Sequence, residues 1–300
     1  MNVKKIDNFS GHNDCVYALV ADSLNQYFYS SGGDGFVVKW DLSKPDLGKL
    51  MAKIPSSVYA LGIDAKRNHL WVGQNFEGVQ VFDCLSGLAV NSLKITSASV
   101  FDIKIYENNS FVCLSDGTIV VIDIETFAVK KHIKASDKSV RTLDVNPLKN
   151  EFAVGYSDFT IKIFDLIDFS LKKVLYYHTN SVFSVFYSND FKHLVTGGRD
   201  AHLRVFDVDN NYELLHDIPA HLFAINSICQ SPDMKYIATS SMDKSIKIWD
   251  SQTFKLLKVV DKARHAGHGT SINKLIWSKY NQLLISASDD RQIAVWELEV

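Results

Sequence analysis

Residues 238–250 read ATSSMDKSIKIWD: a run closing on small hydroxyl residues, a tight turn at Met242-Asp243-Lys244, and a second run ending on Trp249-Asp250. The last two residues set the frame. A large apolar residue followed by an acid recurs at Trp40-Asp41, Phe82-Asp83, Ile122-Asp123, Phe164-Asp165, Phe206-Asp207, Trp249-Asp250 and Trp296-Glu297. Subtracting successive positions gives 42, 40, 42, 42, 43 and 47 residues. A period of that size through seven copies means one supersecondary unit stacked repeatedly, each copy burying a face its neighbour would otherwise expose.

Between one acid-ended segment and the next lie a polar turn, an apolar run, a loop with Ser, Thr, Asn or His, and another apolar run. Short segments rich in Val, Ile, Phe and Tyr, bounded by Gly, Asn, Asp or Ser, predict antiparallel strands joined by hairpins. In the seventh copy the strands are expected at 271–277, 282–288 and 292–296. No window sustains a 3.6-residue period, so essentially no helix is expected. In the third strand the residues one and three before the large apolar residue are usually apolar too, as with Val81 and Val79, Ile163 and Ile161, or Ile248 and Ile246. The residue two before is often long and polar (Lys162, Arg204, Lys247). That pattern fits a sheet packed on both faces, with basic side chains laying their stems over apolar surface. Lys39, directly before Trp40, departs from it and is expected near a rim.

A fourth strand should follow each of the first six acid-ended strands, for example at 169–176 and 254–260. After the seventh the sequence leaves no room for one. A matching piece stands at the start, where Val3-Lys4-Lys5-Ile6 resembles Leu171-Lys172-Lys173-Val174 and Val129-Lys130-Lys131. Residues 1–8 are therefore expected to supply the outer strand of the last sheet. They would close residues 1–300 into a single all-β ring with four antiparallel strands per unit, leaving no open stacking face.

With 300 residues and 46% hydrophobic content the chain can bury roughly three quarters of its unfolded surface. Its net charge is −2, which gives no global field for nucleic acid or an anionic membrane. Cys15, Cys84, Cys113 and Cys229 lie far apart without a CxxC spacing, the usage of reduced thiols in a cytoplasmic protein. Residues 1–14 lack the apolar run of a signal peptide. No apolar segment approaches membrane-spanning length.

One set of polar residues rides on the period. His12, Ser30, Asp34 and Trp40 recur as His221, Thr239, Asp243 and Trp249, and as His268, Ser286, Asp290 and Trp296; His178, Thr196 and Asp200 keep the set with Phe206 in the Trp place. In all four copies His to Asp is 22 residues and Asp to the aromatic is 6. With this set the repeat resembles the WD40 family along the whole chain, and the resemblance implies a seven-bladed β-propeller. Copies two, three and four lack the His and the hydroxyl, and copy two has Phe76 where the turn Asp would fall. Those blades should depend more on apolar packing.

Asp, His and Ser in one network also resemble a hydrolase triad. A catalytic site occurs once and opens to a pocket, whereas this set recurs on a structural period with an aromatic ring where a nucleophile would need access. Hydrogen-bond satisfaction explains it better, since a buried carboxylate and an indole N–H each need partners. The chain has no GxSxG, Walker-type GxxxxGK[ST] or HExxH. His265 and His268 have no further ligands nearby in sequence, so a metal is not expected. Lys130, Lys131, Lys134, Lys138 and Arg141 form a basic run. The first three sit on an outer strand, where charge serves solubility and edge protection.

The functional signal is a ring of first residues of the innermost strands. Five residues past His12 is Tyr17, and the equivalent places hold Tyr59, Phe101, Arg141, Phe183, Asn226 and Asn273. Aromatics with one Arg at an entrance reached by water have the composition of interface hot spots; the alternative is that the rings fold inward and plug the channel. Arg199, Met242 and Asp289, just ahead of the turn Asp, should lie on the same face. The resemblance implies that this mouth receives a peptide or partner loop. The chain is therefore expected to be a non-catalytic interaction scaffold without cofactor or metal, binding a protein or peptide rather than nucleic acid or membrane, as a monomer or a subunit of a hetero-complex. The competing readings are a structural subunit gripped by its sides or opposite face, and a propeller enzyme with its site at the mouth.

Overall fold

A computed structural model describes residues 1–22, 26–44 and 48–299. In blade 7, β1 (Asn2–Phe9) from the start of the chain joins three strands from its end, described below. Blade 1 runs β2 (Val16–Ala21), β3 (Tyr27–Gly32), β4 (Phe36–Asp41) and β5 (Lys49–Lys53); blade 2 runs β6 (Leu61–Asp64), β7 (His69–Gln74), β8 (Gly78–Asp83) and β9 (Ala89–Lys94). Next come blade 3, with β10 (Val100–Tyr106), β11 (Asn109–Leu114), β12 (Thr118–Asp123) and β13 (Val129–Lys134), and blade 4, with β14 (Val140–Asn146), β15 (Glu151–Tyr156), β16 (Ile161–Asp165) and β17 (Leu171–Leu175). Blade 5 holds β18 (Val182–Tyr187), β19 (His193–Gly198), β20 (His202–Asp207) and β21 (Glu213–Pro219); blade 6 holds β22 (Ile225–Gln230), β23 (Tyr236–Ser241), β24 (Ile246–Asp250) and β25 (Leu256–Val260). The chain finishes with α1 (Lys262–His265), β26 (Ile272–Trp277), a 3-10 turn (Tyr280–Gln282), β27 (Leu284–Ser288) and β28 (Ile293–Glu299). Each blade is a four-stranded sheet in chain order except the last, whose order is β1-β28-β27-β26. This is the seven-bladed propeller fold that the period implied. Its ring is closed where Asn2 pairs with Glu299, Val3 with Leu298 and Phe9 with Ile293.

In the first six blades the acid ending the third strand is a turn cap, whereas Glu297 lies within β28 opposite Lys4. Asp250 accepts backbone N–H from Gln252 at 3.1 Å and Thr253 at 2.7 Å, and the Thr253 hydroxyl at 2.8 Å. Asp41, Asp83, Asp123, Asp165 and Asp207 accept N–H groups two or three residues on in the same way. An Asx turn gives the backbone a way out of the strand that Ala or Leu could not supply. Those N–H donors hold the Asp250 carboxyl below the usual carboxylate range. The turn then passes through a left-handed residue, which is Gly87 (φ 76°) in blade 2 but Phe127 (58°), Phe169 (63°) and Phe254 (53°) in blades 3, 4 and 6. Aromatic packing offsets the backbone cost there: Phe127 lies 5.8 Å from Trp71 and Phe169 6.1 Å from Phe111, centroid to centroid. Those turns also explain why the outer strands begin two residues later than expected, at Leu171 and Leu256 rather than at 169 and 254.

The turn of blade 2 corrects the sequence reading. In six blades the residue after the turn Asp is left-handed: Gly35, Gly117, Phe159, Ala201, Lys244 and Arg291. In blade 2 that conformation falls on Phe76 itself (φ 68°), one position earlier in the turn than in the other six. Phe76 is the exposed corner of the turn and not a replacement for the Asp.

By density of contacts the chain divides into two compact units, Met1–Leu70 with Asp83–Leu88 and Asn226–Val300, and Trp71–Phe82 with Ala89–Ile225. In the first unit Phe9 meets Phe28 and Trp40 edge-on at 5.5 and 5.4 Å, above a core of Val16, Leu19, Val38, Ile285 and Ile293. In the second, Phe111, Phe152 and Phe164 stack in series at 5.1 and 5.2 Å. Side chains of the inner strands bond the backbone of the next inner strand. The Leu143 N–H donates to Asp102 at 3.0 Å, Tyr187 N–H to Asp144 at 2.8 Å, and Leu275 N–H to the Ser227 hydroxyl at 3.1 Å. These bonds satisfy ladder groups that face no strand of their own sheet.

Candidate functional site

The repeated polar set forms the network that its spacing required. His12 Nδ1 lies 3.1 Å from the Asp34 carboxylate and Nε2 2.7 Å from Ser30 Oγ, and Trp40 Nε1–H donates to the same Oγ at 2.7 Å. His268, Asp290, Ser286 and Trp296 repeat it at 3.0, 2.8 and 2.8 Å. With Nδ1–H given to the carboxylate, Nε2 takes the hydroxyl proton and the hydroxyl oxygen takes the indole proton, a tautomer fixed by the chain of donors. In blade 6 Trp249 donates to Thr239 at 3.0 Å. Blade 5 has no indole, and Arg204 brings its guanidinium to Asp200 at 2.7 Å beside His178. Burial there lowers the His178 pKa. Burial alone would raise the Asp200 carboxyl, but the His178 and Arg204 bonds outweigh it and hold it low. Ser30, Thr196 and Ser286 are fully buried, so no substrate reaches these hydroxyls.

The ring residues are set apart by backbone geometry. In five blades the pairing of the inner strand with the second strand slips by one residue, between Val16 and Ala18, Val100 and Asp102, Val140 and Thr142, Val182 and Ser184, and Ile272 and Lys274. The skipped residue is Tyr17, Phe101, Arg141, Phe183 or Asn273, the second residue of its strand and not the first as expected, while Tyr59 stands two residues ahead of β6. Each skipped residue is the extra residue of a β-bulge, released from the ladder and re-aimed. Composition carries no mark of this.

In the first unit Tyr17 and Tyr59 are half-buried with ring centroids 4.9 Å apart at 53°. Burial raises the Tyr17 pKa. The two Asn residues look inward. Asn226 Nδ2 donates to Ser271 Oγ at 3.1 Å and to the Ile272 carbonyl at 2.9 Å; Asn273 Nδ2 donates to the Val16 carbonyl at 3.0 Å and to Asp289 at 2.7 Å. Asn226, Asn273 and Asp289 therefore brace the inner strands, while Met242 is exposed. In the second unit the Arg141 guanidinium carbon lies 4.3 Å from the Phe101 ring centroid and 4.8 Å from that of Phe183. Burial, then the charge of Arg199, lowers the Arg141 pKa. Arg199 itself is exposed.

Sequence reasoning missed Leu222 and Phe223, 85% and 61% exposed in the loop that enters β22. Two large apolar residues in a row behind a loop His were the available signal. A groove of about 520 Å³ also runs along the second unit between Lys173–Tyr177 and Asn210–Glu213, with Tyr176 and Tyr177 at its edge. Two basic side chains on the outer strands are internally paired, Lys130 with Asp123 at 2.8 Å and Lys172 with Glu151 at 3.0 Å. Among the described residues no cluster of three His, Cys, Asp or Glu side chains could hold a metal ion, and no helix is long and apolar enough to cross a membrane.

Comparison with known proteins agrees with this architecture. The crystal structure of the WD40 β-propeller domain of Doa1 superposes with a TM-score of 0.87 over 99% of this chain and 97% of that one, at 18% identity. Protein tipD of Dictyostelium discoideum is 23% identical over 96% of this chain, which spans 48% of tipD. Protein HIR1 of Eremothecium gossypii is 29% identical over 40% of this chain and 16% of its own length. The chain thus spans about half or less of these curated relatives. The "WD domain, G-beta repeat" profile matches residues 3–41, 127–165, 169–207, 212–250 and 260–297. Its first match begins inside β1, so the repeat in sequence is offset from the blade in space by one strand. With those matches covering well over half of its length, the chain belongs to the WD40 family.

Proposed function

We propose that the chain is a non-catalytic scaffold that docks a protein or peptide partner on the face carrying the bulged second residues of the inner strands. The observation that carries this reading is the bulge. In each case it releases a side chain from the ladder, and the residues so released include Tyr17, Phe101, Arg141 and Phe183. Aromatics that are half-buried without the partner lose little rotamer freedom on binding, which suits an anchor. In the second unit Leu222 and Phe223 add apolar surface and Arg199 adds charge; in the first Met242 adds apolar surface, and Asn226, Asn273 and Asp289 brace the inner strands. The buried polar sets leave no accessible nucleophile, which favours binding over catalysis. Four unpaired thiols fit a reducing, cytoplasmic setting.

Affinity capture from the native cell tests the proposal. Proteins retained by the wild type should be lost with Tyr59→Ala and with Phe183→Ala, while Tyr176→Ala in the outer groove leaves them bound. The reverse pattern would move the partner to the blade flank and reject the bulge face.

A further inference from the structure

Three cations in the second unit are matched by acids. Lys104 Nζ sits 2.5 Å from Asp144, Lys162 Nζ 2.8 Å from Asp158, and Arg204 Nη1 2.7 Å from Asp200. Arg141 breaks the rule. Its neighbours within interaction distance are the Phe101 and Phe183 rings at 4.3 and 4.8 Å, and among the described residues it has no carboxylate partner. The nearest influential charge is Arg199, of the same sign and likewise unpaired. A half-buried cation beside a second cation is costly unless something offsets it.

The two aromatic rings supply part of that offset through their electron-rich faces. Both rings lie within cation–π distance of the guanidinium carbon, and among the described residues no carboxylate takes its N–H groups. The rings also fix the side chain, so its planar fork is oriented before any ligand arrives, and two N–H groups of such a fork match two oxygens of one anionic group. Arg199 is exposed beside it in the turn ahead of Asp200, where it can close on the same group. This extends the docking reading above by specifying what the partner presents at this point.

We infer that Arg141 and Arg199 form an oxyanion site that takes a carboxylate or phosphomonoester group on the docked peptide. A carboxylate neutralises one of the two charges, whereas a phosphomonoester near neutral pH carries close to two.

Inorganic phosphate, N-acetylglutamate and chloride, titrated at matched ionic strength and followed by thermal unfolding, distinguish the cases. The site predicts that phosphate raises the melting temperature above the chloride control, because a ligand bound only by the folded state stabilises it. Arg141→Met should weaken that binding about tenfold or more, consistent with loss of a bidentate charge-assisted pair. Arg199→Met, at an exposed position where folding is not in question, should weaken it by a smaller factor. Phosphate acting without N-acetylglutamate identifies a phosphorylated partner residue, and both acting identifies an acidic side chain as sufficient. No stabilisation by either anion, or equal stabilisation of wild type and Arg199→Met, overturns the site. Partner capture that depends on Tyr17 and Tyr59 but ignores Arg141→Met would reject the oxyanion site while keeping the docking face.

Discussion

Two serines on second strands of different blades show how much a buried hydroxyl depends on its partners. Ser30 links His12 Nε2 at 2.7 Å with Trp40 Nε1 at 2.7 Å, so Ser30→Ala strands two buried polar groups and should cost about 3 kcal/mol. Ser110 is as deeply buried, but its hydroxyl has no partner. Ser110→Ala should therefore be neutral or stabilise by up to about 1 kcal/mol. Urea denaturation of both variants checks the contrast, and a loss at Ser110 equal to that at Ser30 would refute it. His178 gives a pH signature of definite sign. Burial lowers its folded pKa, so on acidification the unfolded chain takes up the proton first. The stability contributed by the neutral ring is complete above the unfolded value of about 6.5 and is lost as pH falls below it. The neighbouring Asp200 and Asp217 moderate this loss, and Arg204 adds to it. Melting temperatures between pH 7.5 and 5.5 should fall more steeply for the wild type than for His178→Asn.

At the level of the strand, two kinds of bulge shape the blades. One releases the ring residue of the inner strand. The other lies on the outermost strand, where register slips past Ile6, Val90, Lys130, Lys172, Leu215 and Leu257. A slip on an exposed edge interrupts the row of free N–H and C=O groups that a foreign strand would need. Phe9, at the end of β1, shows what that outermost strand contributes. Its ring is buried against Phe28 and Trp40, and Phe9→Ala should cost about 3–5 kcal/mol in chemical denaturation. Sequence reading reached the strands because their period-2 pattern and acid-capped turns are local. It missed features that depend on a partner strand. The one-residue shift at Phe76 leaves the spacing from Phe82 unremarkable, and a bulge adds a residue without changing composition. The inward amides of Asn226 and Asn273 were unreadable for the same reason, since the carbonyls they bond, Ile272 and Val16, lie 46 and 257 residues away. By contrast the His–Asp spacing of 22 residues was legible, because hairpin geometry fixes it.

For the molecule as a whole, the seventh sheet decides whether the ring exists. Three of its strands come from the end of the chain and the fourth from the beginning, so it assembles only when nearly the whole sequence has been placed, a non-local step that slows folding. A chain lacking residues 1–9 should melt earlier, and a synthetic peptide of those nine residues, added in trans, should restore part of the loss while a scrambled peptide does not. Absence of rescue would mean that β1 does more than fill an edge. The same sheet sets the direction in which the protein is mechanically weak. Asn2 and Glu299 face each other across antiparallel neighbours and are joined side chain to side chain at 3.1 Å. Optical-tweezer handles attached there would load the β1–β28 hydrogen bonds singly, like the teeth of a zip, and the clasp should part at low force long before the remaining blades give way.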